Sequence, residues 1–176
     1  MGYGEYSWSN GSLYKGEFVN GLREGHGYYH NAKDEKFVGS FKKDKKNGYG
    51  EFRWASGNVY KGNYKDDLRD GYGEVLWSDG SFYKGEWKQG LQHGIGELYL
   101  PGQSIVRGVF QDNKLLREDV PLWREAKKKF AKEDKLRHST SALEDRINKS
   151  PQQPLSNKIT NTKSSTRLFS EPSESN

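Results

Sequence analysis

Residues 83–96 read Tyr83-Lys84-Gly85-Glu86-Trp87-Lys88-Gln89-Gly90-Leu91-Gln92-His93-Gly94-Ile95-Gly96, and two features of this stretch recur along the chain. One is a Gly-x-Gly pair, and the other is a glycine with an aromatic or apolar residue two positions before and after it. Both return every 23 residues, without insertion, over five copies. This fixed period predicts a repeat protein whose units contact chiefly their neighbours. The glycine pairs are Gly2/Gly4, Gly25/Gly27, Gly48/Gly50, Gly71/Gly73 and Gly94/Gly96.

Within one copy, residue character alternates with a period of two, which is typical of β-strands. In the first copy Tyr6 and Trp8 share one face, and Tyr14 resumes the alternation after the turn sequence Ser9-Asn10-Gly11. A three-residue loop that ends in glycine suits a type I turn followed by a left-handed residue. Each copy is therefore predicted to be a β-hairpin.

This loop also predicts the register, because it places Glu5 opposite Lys15 across the two strands. In the second copy both members of the equivalent pair change together, to Tyr28 and Val38. Cross-strand neighbours contact each other, so the joint change supports the pairing. One face of the sheet is thus predicted to be aromatic and the other to carry ion pairs. The remaining opposite-charge pairs are Glu51/Lys61, Glu74/Lys84 and Glu97/Arg107.

The composition favours a thin sheet over a thick two-layer core. Only 31% of the residues are hydrophobic, whereas aromatic residues reach 14% and glycines number 21. Such a chain buries surface mainly by packing flat rings on the backbone. Gly4 and Gly16 lie between rings on the aromatic face, and their lack of a Cβ is predicted to let a ring approach the backbone.

The stretch at residues 83–96 resembles the MORN repeat, whose pattern is Tyr-x-Gly-Glu-Trp-x-x-Gly-x-x-His-Gly-x-Gly. Residues 14–27 and 60–73 are similar, with Glu24 and Asp70 where the family often has histidine. The resemblance spans residues 2 to about 116 and implies an all-β repeat fold, a single-layer twisted antiparallel sheet of five hairpins with a groove. It also implies a scaffold role in cilia and flagella, at plasma membrane junctions or on cytoskeletal motors. Phospholipid binding has been proposed for some members.

Three segments are predicted: the repeat sheet at residues 1–116, a basic helical segment at 117–149 and a disordered tail at 150–176. Pro121 suits the first turn of a helix, and Trp123, Ala126 and Phe130 follow at helical spacing among lysines and arginines. Ser141-x-x-Glu144 has the form of a capping box and predicts a second short helix. The tail is rich in Ser, Thr, Asn, Gln and Pro, which is typical of disorder.

The motifs of an enzyme are missing from the sequence. The Gly-x-Gly pairs do not continue into a phosphate-binding loop, the histidines lack metal-ligand spacing, and the repeated glutamates are better explained as partners of lysines. No cysteine is present, which excludes disulfides and cysteine-ligated zinc. We therefore expect no catalysis, cofactor, metal or small-molecule substrate. With neither a signal peptide nor a membrane span in the sequence, the protein is expected to be soluble and intracellular.

The aromatic face is the predicted binding surface, because a one-layer sheet has nothing of its own above that face and an exposed apolar patch usually marks an interaction site. Packing of the rings against one another is the competing interpretation and explains most of them. The partner is expected to be a peptide or helix of a cytoskeletal, axonemal, motor-associated or membrane-associated protein. The residues predicted to contact it are Tyr6, Trp8, Tyr14, Phe18, Phe52, Trp54, Tyr60, Tyr64, Trp77, Tyr83 and Trp87.

The alternative function is a peripheral phospholipid-binding module, in which Lys127, Lys128, Lys129 and Lys132 contact acidic headgroups. The same basic helix is also interpretable as a cap on the sheet or as a protein-docking helix. Nucleic acid is not expected, because the repeats carry nearly balanced charge. A cytoplasmic, cytoskeleton-associated location, such as a cilium, flagellum or other cell projection, is the expectation.

Two short motifs add to these expectations. The segment from Phe110 through Asn113-Lys114-Leu115-Leu116-Arg117 resembles the ending of retinophilin-type members, which are similar to cargo adaptors of myosin-III. Ser170, in Arg167-Leu168-Phe169-Ser170, resembles a basophilic kinase site and is the predicted phosphorylation site.

Overall fold

The computed structural model describes residues 2–132, which form one open antiparallel sheet of eleven strands followed by a helix. Each strand pairs only with its neighbours in chain order, so the sheet has no crossover. The predicted fold class is confirmed. Ser170, the Ser141 capping box and the tail at 150–176 lie outside the described residues. The strands are β1 (Gly2–Ser7), β2 (Leu13–Val19), β3 (Leu22–His30), β4 (Lys36–Lys42), β5 (Lys45–Arg53), β6 (Val59–Lys65), β7 (Leu68–Leu76), β8 (Phe82–Lys88), β9 (Leu91–Tyr99), β10 (Val106–Gln111) and β11 (Lys114–Glu118).

The predicted register is confirmed in every copy, with Glu5 opposite Lys15 and Tyr28 opposite Val38. The ammonium of Lys15 lies 3.0 Å from the Glu5 carboxylate, and the charged groups of the three other opposite-charge pairs lie 3.1–3.3 Å apart. The three-residue loop also has the predicted form. Gly11 takes a left-handed φ of 89° and its N–H bonds to the Trp8 carbonyl at 3.0 Å.

The second copy closes its loop without a glycine. Asp34 adopts the left-handed conformation with φ of 61°, which Asp and Asn tolerate better than other side chains. The Asn31 side-chain oxygen accepts hydrogen bonds from the N–H groups of Lys33 and Glu35, at 3.0 and 2.9 Å. This loop therefore compensates for the lost glycine with side-chain hydrogen bonds.

Consecutive hairpins are joined by two-residue turns in which both residues are left-handed, such as Asn20-Gly21 and Lys43-Asp44. Two positive φ angles define a type I′ turn, whose twist matches that of the flanking strands. From Asp44 onward, the second turn residue also donates its N–H to a carbonyl one repeat earlier, as Asp44 does to Arg23 at 3.0 Å. These turns therefore link neighbouring repeats.

One more such turn, at Asp112-Asn113, adds β11 beyond the five predicted hairpins. The first two residues of the segment predicted to be helical, Arg117 and Glu118, thus belong to a strand. Helix α1 begins at residue 120 and is described to residue 132. The Asp119 carboxylate accepts the Leu122 N–H at 3.0 Å and so caps its first turn.

Helix α1 packs on the face that carries the ion pairs. Trp123 and Phe130 are buried against Tyr72 of β7, with Ile95 of β9 and Ala126 beside them. The rings of Tyr72 and Phe130 stack at 4.1 Å. The predicted basic amphipathic helix is confirmed, and its apolar side is used to cover the C-terminal part of this face.

Candidate functional site: the aromatic face

The aromatic face is a continuous chain of nine rings that runs across the repeats. Each ring meets the next edge to face, with centroids 5.0–5.4 Å apart and interplanar angles of 79–90°. Edge-to-face contact suits the ring quadrupoles and adds to the effect of burial. In order, the rings are Phe18, Tyr14, Phe41, Phe37, Tyr64, Tyr60, Trp87, Tyr83 and Phe110.

The paired glycines form the floor beneath this chain. A Cβ on Gly16 would lie 2.4 Å from the Tyr14 hydroxyl, and one on Gly73 would lie 2.3 Å from the Tyr60 hydroxyl. The predicted close approach of ring and backbone is therefore confirmed at these positions. At Gly4 it is wrong, because a Cβ there would meet Phe18 at an ordinary 3.5 Å.

Five of the predicted contact residues are buried by the ring chain itself. Tyr14, Tyr60 and Tyr83 have an exposed fraction of 0%, and Trp87 and Tyr64 have 4% and 6%. The interpretation that rings pack on one another applies to these five. A partner at the surface of the folded sheet reaches only the other six, Tyr6, Trp8, Phe18, Phe52, Trp54 and Trp77.

The reachable tryptophans form an outer row, which we define as Trp8, Trp54 and Trp77. Each stands just before a three-residue loop, whose closing hydrogen bond fixes its backbone: the Trp77 N–H bonds to the Ser81 carbonyl at 3.0 Å. Trp54 lies 4.6 Å from the Phe52 ring. Trp54 and Trp77 are one repeat apart, or two strands, which is about 10 Å across a sheet.

Cations on the aromatic face were missed by the sequence analysis. Arg23, Lys46 and Arg69 occur at 23-residue intervals and pair across the strands with ring residues, so their side chains lie among the rings. The Arg69 guanidinium lies 4.2 Å from the centroid of Trp87, and the Lys46 ammonium lies 5.1 Å from that of Phe52. Such distances are within the range of cation–π attraction. Their regular spacing of 23 residues was the signal in the sequence that could have identified them.

Burial shifts the proton affinities on this face. It raises the pKa of Tyr14 to about 12 and that of Tyr64 and Tyr83 still higher, because the tyrosinate would lose its hydration. The same loss of hydration lowers the pKa of Lys46 and Arg69. The site therefore favours neutral tyrosine rings and leaves Lys46 and Arg69 partly without hydration.

Two repeated glutamates have a role other than the expected pairing with lysine. The Glu17 carboxylate accepts the His26 N–H at 2.9 Å, and the Glu86 carboxylate accepts the Ile95 N–H at 3.0 Å. Both bonds lie where the register of the sheet shifts at a bulge. These carboxylates satisfy backbone donors that the bulge leaves unpaired.

The predicted lipid-contacting lysines, Lys127, Lys128, Lys129 and Lys132, are exposed on α1. Because Trp123 and Phe130 already pack on the sheet, the apolar side of α1 is not available for insertion into a bilayer. A shallow cleft beside the helix is lined by Arg107, Val120, Trp123, Arg124 and Lys127. Within residues 2–132 there is no cluster of potential metal ligands, and no helix there is long and apolar enough to cross a membrane.

Comparison with protein families gives five matches to the model described as MORN repeat, at residues 1–13, 14–33, 37–59, 60–82 and 83–104. Together the matches cover more than half of the 176 residues. Repeats of this kind are generally modules for interaction with proteins or membranes and are typically non-enzymatic. No curated protein matches the chain.

Proposed function

The chain belongs to the MORN repeat family, and on this premise we propose that it is a non-catalytic scaffold or adaptor. Its aromatic face binds a peptide or helix of a cytoskeletal or membrane-associated partner. It acts in the cytoplasm at the cytoskeleton, with a cilium, flagellum or other cell projection as the proposed place.

The observation that carries this proposal is the outer row of tryptophans. Trp8, Trp54 and Trp77 are only partly buried, although they pack against rings that are buried. Large aromatic side chains held rigidly beside a packed surface are the residues that most often dominate binding at protein interfaces. The loops fix the backbone of these tryptophans, so a partner that binds has to order chiefly their side chains.

The test is affinity capture from cell extract with quantitative mass spectrometry, using Trp77→Ala and the matched control Leu76→Ala. Leu76 is the adjacent residue, is 51% exposed and lies on the opposite face, so its loss leaves the aromatic face unchanged. Bound partners should fall at least about tenfold with Trp77→Ala and remain with Leu76→Ala. Circular dichroism must first show both variants folded. Equal capture by both variants would contradict the proposal.

The second candidate is binding to acidic phospholipid through the lysines of α1. Exposed Lys127, Lys128 and Lys129 and the cationic cleft that includes Arg107 and Arg124 favour it. With its apolar side used on the sheet, α1 would act through charge alone. Sedimentation with phosphatidylserine liposomes should then weaken steeply with salt, since charge attraction is screened over about 10 Å at 0.1 M.

A charge-reversed variant separates the two functions. Changing Lys127, Lys128 and Lys129 to Glu should abolish liposome binding if lipid is the ligand, whereas Trp77→Ala should leave it intact. If the aromatic face is the working surface, the lysine changes weaken partner capture only modestly. Liposome binding that survives Trp77→Ala and vanishes with the lysine changes would favour the lipid function.

A further inference from the structure

The three cations of the aromatic face differ in their partners. Arg23 donates to the Asp44 carboxylate at 3.3 Å, and Arg69 donates to the Gly90 carbonyl at 2.7 Å. Lys46 has no comparable bond: Asp67, the counterpart of Asp44 in the next repeat, accepts the backbone N–H of Lys46 at 2.8 Å. Within residues 2–132 the Lys46 ammonium makes neither an ion pair nor a hydrogen bond.

Rings surround this ammonium instead of oxygen atoms. Its nitrogen lies 5.1 Å from the centroid of Phe52, 5.7 Å from that of Tyr64 and 5.8 Å from that of Phe37. Burial lowers its pKa, an effect that Asp67 and Glu35 only partly offset. A cation removed from water without an oxygen partner is less stable than one bonded to a carboxylate.

Lys46 lies next to rings that a partner is able to reach. Its side chain is half-buried on β5, in the middle of the sheet, and its ammonium lies beside Phe52, which contacts Trp54 of the outer row. A ligand that covers the rings of Phe52 and Trp54 therefore comes close to the ammonium. The surface combines two apolar contacts with one positive charge that makes no ion pair among the described residues.

We propose that the aromatic face selects a peptide that places an aspartate or glutamate carboxylate on the Lys46 ammonium while its large apolar side chains contact Phe52 and Trp54. This inference rests on the proposed function and names the chemistry of its partner. The carboxylate replaces the hydration that Lys46 lacks, and charge-assisted hydrogen bonds of this type are stronger than neutral ones. Apolar peptides without an acidic residue leave the buried charge unpaired and bind more weakly.

The first experiment is a selection of displayed random peptides on the full chain, on Lys46→Met and on the matched control Lys45→Met. Lys45 is the adjacent residue, is exposed and lies on the opposite face, so its change removes the same charge from the other side of the sheet. Peptides enriched on the full chain and on Lys45→Met should carry an acidic residue among apolar ones. On Lys46→Met the acidic preference should disappear.

The second experiment measures one selected peptide and its Glu→Gln form by calorimetry. The full chain should bind the acidic form on the order of tenfold more tightly, and Lys46→Met should bind both forms equally. Lys46→Arg should keep the preference. The comparison of the two peptides on the unmodified chain requires no variant to fold.

The outcomes distinguish this inference from the proposed function. Enriched peptides without an acidic preference, or equal affinity for both forms, would overturn the inference and leave a peptide-binding face. Failure to enrich any peptide on the full chain would overturn both. Binding of phosphatidylserine vesicles by the full chain and by Lys46→Arg but not by Lys46→Met, together with no acidic preference among the peptides, would assign Lys46 to a lipid headgroup and also overturn the inference.

Discussion

The two faces of this sheet share every strand and yet are organised differently. On the aromatic face, edge-to-face ring contacts join Phe18 to Phe110 without a break. On the opposite face, ion pairs such as Glu74–Lys84 are partly exposed, and exposed pairs contribute little, about 0.2–1 kcal/mol each. The aromatic face therefore holds the repeats together. Residues on the opposite face therefore need not be the same in every copy, and helix α1 packs on two of them, Tyr72 and Ile95.

The largest difference between the two faces in their contribution to stability is expected at high pH. Burial raises the pKa of Tyr14 to about 12, whereas tyrosine in an unfolded chain ionises near pH 10. A raised folded-state pKa gives stability that is complete below about pH 10 and is lost as the pH rises through 12. Lys46, with its lowered pKa, acts in the opposite sense and adds stability as the pH approaches the ordinary lysine value. The part of the tyrosinate absorbance that appears last in the titration and the far-ultraviolet circular dichroism should change together; ionisation of all eleven tyrosines near pH 10 in an intact sheet would contradict this.

Removing one ring from the chain should cost more than any single change on the other face. Tyr60→Ala deletes a fully buried ring that contacts Tyr64 and Trp87, and such truncations cost about 3–5 kcal/mol. Tyr3→Ala is the control, because Tyr3 lies on the opposite face and is 71% exposed, so its loss should stay within about 0.5 kcal/mol. Urea unfolding of both variants measures the difference. Similar values would mean that the two faces contribute alike.

The stabilisation that comes from the contact between α1 and the opposite face should be confined to the helix. Phe130→Ala removes a ring buried on Tyr72 and should weaken helix docking by about 1.5–3 kcal/mol. The control is Lys129→Ala, an exposed neighbour on the same helix. Hydrogen exchange should accelerate at residues 120–132 with Phe130→Ala alone. Equal acceleration throughout the ring-bearing strands would show instead that the helix supports the whole sheet.

Replacing glycines at the same place in the repeat by alanine should change stability in opposite directions. Gly73→Ala forces a Cβ to 2.3 Å from the Tyr60 hydroxyl, and overpacking of this kind costs about 1–3 kcal/mol. Gly4→Ala meets only Phe18 at 3.5 Å and should be neutral or stabilising by up to about 1 kcal/mol, through the lower entropy of the unfolded chain. Thermal unfolding distinguishes them. A stabilising Gly73→Ala would remove the stated reason for the paired glycines.

The smallest effect is expected at the cross-strand ion pairs. Glu74→Lys places two positive charges opposite each other and should cost from a few tenths to about 1 kcal/mol. Adding Lys84→Glu restores opposite charges and should recover most of the loss. A double variant no more stable than the sum of the two single changes would show that the pair does not interact.

The sequence was sufficient for the fold because each local signal agreed with the others. The three-residue loop that ends at Gly11 predicted the hairpin and its register, and the joint change at Tyr28 and Val38 supported that register. Which rings a partner can reach was not predictable in this way. The burial of Tyr60 depends on Trp87 in the next repeat and on Arg69 beside it, and both contacts arise only when the copies stack.

The position of α1 was equally hard to foresee. Trp123 and Phe130 fit the pattern of a helix with one apolar side, but the pattern does not say which face of the sheet receives it. The decisive residue is Tyr72, the middle residue of a Gly-x-Gly pair, and the same position is also tyrosine in two other copies, at Tyr3 and Tyr49. The repeat pattern alone therefore does not identify the copy on which the helix packs.

The strict pairing of each strand with its chain neighbours has a consequence for how quickly the sheet forms. Every strand contact joins segments that are already close along the chain, from β1–β2 to β10–β11. Closing such short loops costs little chain entropy, and low contact order is associated with fast folding. Folding is therefore able to begin at any hairpin with a favourable turn, such as the one closed by Ser9-Asn10-Gly11, and to spread in both directions. A newly made chain is able to form the sheet in step with its synthesis, because no strand has to wait for a distant partner.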